Sequence, residues 1–282
     1  SPNINIHCSH DDAYATRDTG WLQFFAENVQ EAYDLTLMAF KIAEDHRVLL
    51  PTIVNLDGFI LTHATEGLYV LEDGEVDNFL PPRKPVNPID PENPKTYGAL
   101  DLTDWYMEHR KLWYDAYPNV PTVIREVFTD YAKLAGRTYT PIKTFNLEEA
   151  NKAVIILGSA AGTARYAARK LKEKDQNLAV ISLTQYRPFP KKELKALLEK
   201  FDVAAVLDRS LSFGSPGNQL FMDVATSLYN AKRKPLLLNA VYGLGGRDFT
   251  AGHVEQIYKL MEEVEKKGEA PEEPIWIGLR EV

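Results

Sequence analysis

Residues 152–183 read KAVIILGSAAGTARYAARKLKEKDQNLAVISL: a buried strand, a turn of small residues, a helix and a second buried strand. The apolar runs are nearly continuous, which is typical of strands covered on both faces, as in parallel sheets. The alternation continues through strands VAAVLD (203–208) and PLLLNAVYG (235–243), and helices KKELKALLEKF (191–201), NQLFMDVATSLYNA (218–231) and AGHVEQIYKLMEEVEKK (251–267). Strands and helices that alternate through right-handed crossovers predict a doubly wound parallel sheet with helices on both faces. We assign this α/β domain to residues 151–282.

Residues 1–65 predict a fragment of a second α/β layer. INIHC (4–8) alternates polar and apolar residues and predicts a strand, whereas VQEAYDLTLMAFKIAED (29–45) has apolar residues at helical spacing. LLPTIVNLDG (49–58) is a short apolar run that predicts a strand followed by a turn. Because such a fragment cannot cover both faces of its own sheet, we expect it to be part of a larger domain.

The region between them, residues 66–150, is predicted to connect the two. Six prolines fall within residues 81–94, so this stretch is expected to be extended, without helix, and to lie on a surface. Helical periodicity resumes over residues 101–136, where Pro118 and Pro121 are expected to divide it into two helices. The aromatic residues of that stretch are interpreted as packing surfaces.

The composition limits the classes of function. The formal net charge of −8 over 282 residues argues against nucleic-acid binding, which favours a basic face. No apolar run reaches the roughly 18 residues that span a bilayer, so no membrane association is expected. The single cysteine, Cys8, is interpreted as a half-buried apolar residue, and one thiol cannot ligate an iron–sulfur cluster. The opening SPNINIH has neither an initiator Met nor a signal-peptide pattern, so we expect a cytoplasmic protein whose upstream portion is separate or absent.

Residues 7–21 read HCSHDDAYATRDTGW and concentrate charged, imidazole and hydroxyl side chains just before an apolar helical pattern. Such a mixture is typical of a site for a small anion, since Arg17 offers a planar fork of donors that matches a carboxylate. His10, Asp12 and Asp18 are the candidates for holding that fork in place. The alternative is that Arg17 only forms an ion pair with Asp12 or Asp18.

The same segment does not have the spacing of a metal site or a hydrolase triad. His7 and His10 are three residues apart and lack the acid–histidine pattern of HExxH. No GxSxG elbow occurs in the sequence, which argues against a serine nucleophile. We therefore predict no metal ligands in this chain.

Three further motifs have two interpretations each. The turn at residues 158–163 follows a strand and begins a helix, a position at which phosphates bind. The turn lacks the GxGxxG and P-loop patterns, so close packing of small residues is the simpler interpretation. YRPFP (186–190) contains Arg187, which either binds an anion or braces a loop. YGLGGRDFT (242–250) is either a ligand-binding turn at the carboxyl end of a strand or a tight turn in which Arg247 pairs with the following aspartate.

Five motifs occur in the order found in one enzyme family. They are HDDAYATRDTGW (10–21), VQEAYDLTLMAFKIAED (29–45), LLPTIVNLDGFILTH (49–63), YRPFP (186–190) and YGLGGRDFT (242–250). On these residues, and over nearly the whole chain, the sequence resembles the alpha subunit of 2-oxoacid:ferredoxin oxidoreductases of the pyruvate synthase type. The resemblance implies a partial thiamine-fold domain of the pyrimidine type, followed by a domain like the C-terminal domain of transketolases. It also implies oxidative decarboxylation of pyruvate on thiamine diphosphate, with electrons passing through [4Fe–4S] clusters to ferredoxin and the acyl group leaving on coenzyme A, or the reverse reaction.

The resemblance assigns a role to one residue. Arg17, in ATRDTG, matches the family arginine that contacts the substrate carboxylate, and such a contact would orient the C2 carbonyl of the substrate. His10, Asp12 and Asp18 remain candidates for supporting it, and no residue of this chain is expected to bind a cofactor. Thiamine diphosphate, Mg²⁺ and the [4Fe–4S] clusters are expected to be held mainly by beta, gamma and delta-type subunits.

Family members normally begin with about 100 further residues, which carry a YPITPS-like segment and a glutamate that meets the thiamine aminopyrimidine. We therefore expect another chain or segment to supply the missing half of the first domain. The sequence leaves open a branched-chain 2-oxoacid, 2-oxoglutarate or oxalate as the substrate. It also leaves open a non-catalytic assembly subunit and a nucleotide-binding regulatory domain that uses the turn at residues 158–163.

Overall fold

The computed structural model describes residues 3–280. The helices are α1 (Asp11–Ala15), α2 (Val29–Glu44), α3 (Asp73–Phe79), α4 (Tyr106–Tyr114), α5 (Val120–Ala135), α6 (Ala160–Lys172), α7 (Lys191–Leu198), α8 (Gln219–Ser227) and α9 (Ala251–Lys267). The strands are β1 (Leu22–Phe25), β2 (Thr52–Asn55), β3 (Ile142–Phe145), β4 (Lys152–Ile156), β5 (Leu178–Leu183), β6 (Gln185–Arg187), β7 (Val203–Asp208), β8 (Leu236–Tyr242) and β9 (Ile275–Ile277). Among the described residues, no helix combines the length and the apolar character that crossing a bilayer requires.

A six-stranded sheet forms the C-terminal half, in the order β3-β5-β4-β7-β8-β9. Strands β5, β4, β7, β8 and β9 are mutually parallel, which confirms the predicted parallel sheet. The edge strand β3 is antiparallel to β5, with Ile142 opposite Leu183. The sequence pattern did not predict β3, because its four residues are only partly buried and do not form an apolar run.

Helices cover both faces of this sheet, as the doubly wound pattern predicts. On one face, α6 and α9 enclose a core that includes Val154 and Ala205. On the other face, α7 and α8 enclose a core that includes Ala153 and Ile155. Successive residues of β4 therefore point to opposite faces, and both sets are buried, which explains why the strand reads as a continuous apolar run.

A three-stranded sheet of order β2-β1-β6 joins the two halves of the chain. Strand β1 is parallel to β2, with Leu22 opposite Thr52, and antiparallel to β6, with Gln23 opposite Arg187. The prediction of a strand at residues 4–8 is wrong: that segment has no regular structure, and the strand lies at Leu22–Phe25. Alternation alone was misleading because a strand also needs a neighbour to pair with, and β1 obtains one from distant sequence.

The middle region contributes a helix to the core beside the three-stranded sheet and a strand to the six-stranded sheet. Pro118 and Pro121 separate α4 from α5, as predicted, through a short 3₁₀ turn at Tyr117–Asn119, and residues 81–94 contain no helix. Helix α5 packs its apolar face against α2 in the core that also contains β1, whereas β3 belongs to the six-stranded sheet. The division at residues 65 and 150 stays a prediction.

A buried carboxylate fastens α2 to α5 and to the loop beyond it. Asp34 is fully buried and accepts hydrogen bonds from the hydroxyls of Tyr131 and Tyr139. The guanidinium of Arg137 donates from Nε at 2.6 Å and from Nη2 at 2.8 Å. Burial by itself raises the pKa of Asp34, but these donors outweigh it and hold the pKa below its ordinary value. The carboxylate is therefore ionised and its oxygens are satisfied, as a buried charge requires.

Candidate functional site

The segment at residues 7–21 lies between the two halves of the chain. Its backbone is tied to the end of β7, where the His10 N–H donates to the Arg209 carbonyl at 2.9 Å. The short helix α1 then carries Tyr14, which is buried and donates its hydroxyl to Asp208 Oδ1 at 2.8 Å. Contacts with the six-stranded sheet therefore fix the segment that leads to Arg17, two residues beyond α1.

Arg17 lines a small cavity of about 230 Å³. The other residues around it are Asp18, Gly20, Arg110, Trp113, Tyr114, Tyr117 and Arg187. Three guanidinium groups beside aromatic walls make a cationic cavity of the kind that a small carboxylate fits. Its volume of about 230 Å³ accommodates a small acid.

Gly20 allows the aromatic wall to approach the backbone. Its φ of +91° is a conformation that favours glycine, and a Cβ at this position would lie 2.9 Å from the indole of Trp113. Trp113 comes from α4, in which the structure has no buried residue. The indole therefore closes one side of the cavity by packing on the Gly20 backbone.

Arg17 has spare hydrogen-bonding capacity. Its Nε donates to Asp18 Oδ2 at a long 3.3 Å, and the Asp18 side chain is 80% exposed, so this ion pair contributes about 0–1 kcal/mol. Nη1 is buried and has no partner within residues 3–280. Burial by itself lowers the pKa of Arg17, but Tyr186 and Asp18 raise it above its ordinary value, so the group stays charged. A weak exposed pair leaves the guanidinium free to bind a second carboxylate.

The candidate supports of Arg17 lie in two different places. Asp18 borders the Arg17 cavity, whereas His10 and Asp12 border a separate cavity of about 330 Å³. The imidazole of His10 is hydrogen-bonded to Asp57, and the Asp12 carboxylate accepts from the backbone N–H of Ala13. Of the three candidates, Asp18 is the one bonded to Arg17 in the part of the chain that the structure describes; the supporting roles of all three stay predictions.

The turn that begins α6 binds a carboxylate of the chain itself. Asp57, which follows β2, accepts the Ser159 N–H at 2.9 Å and the Ser159 hydroxyl, and it bonds His10 Nε2 at 2.7 Å. A Cβ at Gly158, where φ is +69°, would lie 2.8 Å from both oxygens of Asp57. A phosphate at this turn would have to displace a buried carboxylate. The interpretation of close packing is therefore favoured over a nucleotide or diphosphate site.

Burial and neighbouring charges act in opposite directions on this carboxylate. Burial by itself raises the pKa of Asp57, but the bond from His10, the charge of Arg209 and the bond from Ser159 outweigh it and hold the pKa well below its usual range. Asp57 is therefore an anion, and it links the end of β2 in the three-stranded sheet to the N-terminus of α6. That location also favours a negative charge because of the helix dipole.

Cys8, His10 and Asp57 form a buried cluster whose ligand atoms lie within 4.8 Å of one another. Two features favour a hydrogen-bonded network over a metal site. Burial and the charge of Asp57 raise the pKa of the Cys8 thiol to about 12, although Arg209 partly offsets them, so the thiol stays protonated. The guanidinium of Arg209, itself 2% exposed, already supplies positive charge to the cluster. The thiol is more deeply buried than the sequence interpretation assumed.

The arginines of the motifs YRPFP and YGLGGRDFT both bond residues distant in sequence. Arg187 braces a loop: its Nε donates to the Arg17 carbonyl at 3.1 Å and its Nη2 pairs with Asp223 at 3.0 Å. YGLGGRDFT forms a glycine turn, and Arg247 donates to the Gly278 carbonyl at 3.0 Å. In both motifs the side chain bonds a residue distant in sequence, which local pattern does not reveal.

Comparisons with known proteins agree with the motif resemblance. A family model described as pyruvate flavodoxin/ferredoxin oxidoreductase, thiamine diphosphate-binding, matches residues 1–129, and one described as pyruvate:ferredoxin oxidoreductase core domain II matches residues 150–254. Pyruvate synthase subunit PorA of Thermotoga maritima is 40% identical over 279 residues, which are 99% of this chain and 70% of the relative. Ketoisovalerate oxidoreductase subunit VorA of Pyrococcus horikoshii is 37% identical over 282 residues, 99% of this chain and 71% of the relative.

A solved structure has the same fold. It is the 2-oxoglutarate:ferredoxin oxidoreductase from Magnetococcus marinus with 2-oxoglutarate, coenzyme A and succinyl-CoA bound; it superposes with a TM-score of 0.57 at 17% identity. The match covers 94% of this chain and 46% of that chain, so the protein described here spans less than half of its length. At this identity the likeness concerns the fold alone.

These matches define the class as the thiamine diphosphate-dependent 2-oxoacid:ferredoxin oxidoreductases, which confirms the predicted fold class and function class. Within that class, the chain belongs to the pyruvate:ferredoxin oxidoreductase family, alongside the PorA subunits.

Proposed function

We propose that this chain supplies the substrate-carboxylate anchor of a multi-subunit pyruvate:ferredoxin oxidoreductase, and that Arg17 is the anchor. The reaction converts pyruvate and coenzyme A to acetyl-CoA and CO₂ and transfers two electrons to ferredoxin, or runs in reverse. The observation that carries the proposal is the position of Arg17 in a small cationic cavity, where its one ion pair is long and exposed.

The chemistry of this chain is binding and orientation. A carboxylate in the cavity would face the guanidinium of Arg17 in a planar, bidentate geometry, which fixes the direction of the adjacent C2 carbonyl. The indole of Trp113, which packs on the Gly20 backbone, forms one side of the cavity. Decarboxylation and electron transfer are the chemistry of thiamine diphosphate, Mg²⁺ and [4Fe–4S] clusters, which we propose are held mainly by the beta, gamma and delta-type subunits.

The relatives of this chain favour pyruvate as the substrate. The cavity of about 230 Å³ accommodates pyruvate, and the PorA relatives, which are 40–41% identical to this chain, are pyruvate synthase subunits. Pyruvate is therefore the proposed substrate. The alternative is a branched-chain 2-oxoacid, because the VorA relative is almost as similar to this chain as the PorA relative.

The three-stranded sheet has an unpaired edge at β2 in the described part of the chain, and we propose that another chain or segment completes the sheet there. Strand β2 is an edge strand in the described part of the chain, and a cavity of about 500 Å³ runs along it and α2. Phe40 and Leu49 line this cavity and are 57% and 42% exposed. Exposed apolar side chains beside an unpaired strand edge are typical of an interface. About 30% of the length of the PorA relative lies outside the match, which is enough for such a segment.

The experiment that tests the anchor uses the assembled complex and steady-state kinetics with pyruvate, coenzyme A and ferredoxin. We expect Arg17→Gln to lower kcat/KM about 10²- to 10³-fold, because the substrate carboxylate would lose a charge-assisted bidentate contact of about 3–4 kcal/mol. The matched control is Arg125→Gln, since Arg125 is exposed on α5 and bonds to Thr122 one turn away. A non-catalytic assembly subunit would instead tolerate Arg17→Gln, and wild-type kinetics for that variant would refute the anchor.

The interface has its own test. We expect Phe40→Lys to reduce recovery of partner chains with this subunit on size-exclusion chromatography, because a charge would face the apolar cavity beside β2. Tyr166→Lys, which changes a 53% exposed aromatic residue on α6, is the control. Unchanged recovery with Phe40→Lys would exclude this face as the site where the sheet is completed.

A further inference from the structure

Arg187 is held in one orientation by three acceptors. Its Nε donates to the carbonyl of Arg17 at 3.1 Å, its Nη1 to the carbonyl of Tyr186 at 3.1 Å, and its Nη2 to the carboxylate of Asp223 at 3.0 Å. The guanidinium also stacks on the ring of Tyr186, 4.2 Å from the centroid, and the side chain is 13% exposed. Because the planar fork cannot rotate without breaking several of these bonds, the acceptor on Arg17 is fixed relative to β6.

The carboxylate of Asp223 is the fixed point of this arrangement. It lies on α8 and accepts the Tyr186 hydroxyl at 2.8 Å as well as the Arg187 guanidinium. Both of its partners belong to β6, the strand that crosses from the C-terminal half to pair with β1. Through its bonds to Asp223 and to the Arg17 carbonyl, Arg187 therefore links α8 to the segment that carries the proposed anchor.

The Arg17 side chain has little else to hold it. Its ion pair with Asp18 is long and its partner is mostly exposed. The backbone before it is restrained by Gln23 of β1, whose amide donates to the Ala13 carbonyl at 3.1 Å and to the Thr16 hydroxyl at 2.9 Å. Bonds from the side chains of Gln23 and Arg187 to the segment around Arg17, rather than bonds to the Arg17 side chain, therefore determine where its guanidinium lies.

We infer that Arg187 is a positioning residue for the proposed anchor: it holds the Arg17 carbonyl and so places the Arg17 guanidinium in the cavity. This inference rests on the proposed function, since it assigns Arg187 an effect that acts through Arg17. Arg187 also borders the same cavity, but its charge is already paired with Asp223, so its contribution is to geometry.

A double-mutant cycle in the assembled complex tests the inference, with Arg17→Ala, Arg187→Gln and the double variant measured with pyruvate. We expect Arg187→Gln to lower kcat/KM about tenfold, mainly through KM, because a displaced anchor weakens a contact made in both ground and transition states. In the Arg17→Ala background, Arg187→Gln should change kcat/KM less than twofold, because a residue that acts through Arg17 has nothing left to position. Arg187→Lys keeps the charge but cannot reach all three acceptors, so it should fall between wild type and Arg187→Gln.

The control is Arg233→Gln, which removes an arginine paired with Asp202 on the same half of the chain, away from the cavity. Wild-type kinetics for Arg17→Ala would overturn the proposed function itself. If Arg17→Ala is impaired but Arg187→Gln is silent, or its effect is the same in both backgrounds, the anchor stands and the positioning role is refuted. If Arg187→Gln does not assemble, Arg187→Lys carries the same cycle, and an equal loss in both backgrounds refutes the inference.

Discussion

Gly158→Ala should lower the free energy of unfolding by more than the strain of an alanine at a positive φ accounts for. The residue has φ of +69°, which costs an alanine about 1–2 kcal/mol. The new Cβ would also lie 2.8 Å from both carboxylate oxygens of Asp57. Asp57 is 2% exposed and is held by Ser159 and His10, so it cannot move without losing bonds to a buried charge.

The expected magnitude follows from these contacts. Losing one hydrogen bond to the charged carboxylate costs about 1.5–3 kcal/mol, so Gly158→Ala should lower the free energy of unfolding by about 3–5 kcal/mol in total. Gly136→Ala is the matched control, because Gly136 has φ of +68° and its Cβ would meet nothing within 4 Å. That control should cost about 1–2 kcal/mol, so the two variants should differ by about 2–3 kcal/mol.

Thermal unfolding followed by circular dichroism measures the difference. At about 2–4 °C per kcal/mol for a chain of this size, the Tm of Gly158→Ala should lie about 4–12 °C below that of Gly136→Ala. Removing the obstacle should remove the excess: in an Asp57→Ala background, Gly158→Ala should cost no more than the control. Equal Tm values for the two single variants would refute the argument that Asp57 occupies this turn.

Two further predictions concern buried carboxylates. Asp34→Ala should lower the free energy of unfolding by about 3–5 kcal/mol, because it leaves the guanidinium of Arg137 and two tyrosine hydroxyls without their acceptor. Tyr131→Phe removes one of these donors and should lower it by about 1–2 kcal/mol. The Tm values of the two variants measure both losses, and equal losses would contradict the network. Burial raises the pKa of Asp208 from 3.8 to about 6, against the bond from Tyr14, so its contribution to stability is fully present below pH 3.8 and is lost as pH rises through 6. Asp208→Asn should remove that part of the pH dependence between pH 4.5 and 7, and parallel Tm curves for wild type and variant would show that Asp208 does not titrate there.

The strand–helix rhythm of residues 151–282 was predictable because both faces of that sheet are covered. Every predicted strand of the region was found, since a strand such as β4 buries all five residues and therefore reads as apolar throughout. The two proline positions that divide α4 from α5 were predictable for a local reason, the missing N–H of proline. Strands β3, β6 and β9 were missed because each has only three or four residues and exists through pairing with a strand distant in sequence.

The candidate site divides in the same way. Residue chemistry and the order of motifs were enough to propose Arg17 as the anchor. His10 was grouped with it because the two are seven residues apart, whereas the fold directs His10 toward Asp57, forty-seven residues away. Arg187 is more distant still, and its bond is to a backbone carbonyl, which no sequence pattern marks. Sequence proximity therefore grouped the proposed anchor with His10, which the fold places at another cavity, and it did not indicate Arg187.

By itself, the sequence determined helices α6 to α9, strands β4, β5, β7 and β8, and the family, and it indicated Arg17 as the proposed anchor, because periodicity and side-chain chemistry are local properties. The tertiary structure alone decided which carboxylate meets the turn before α6, which strand pairs with β1 and which groups surround Arg17. Those outcomes depend on contacts between residues separated by up to 170 positions, and such contacts form only when the two sheets pack against each other.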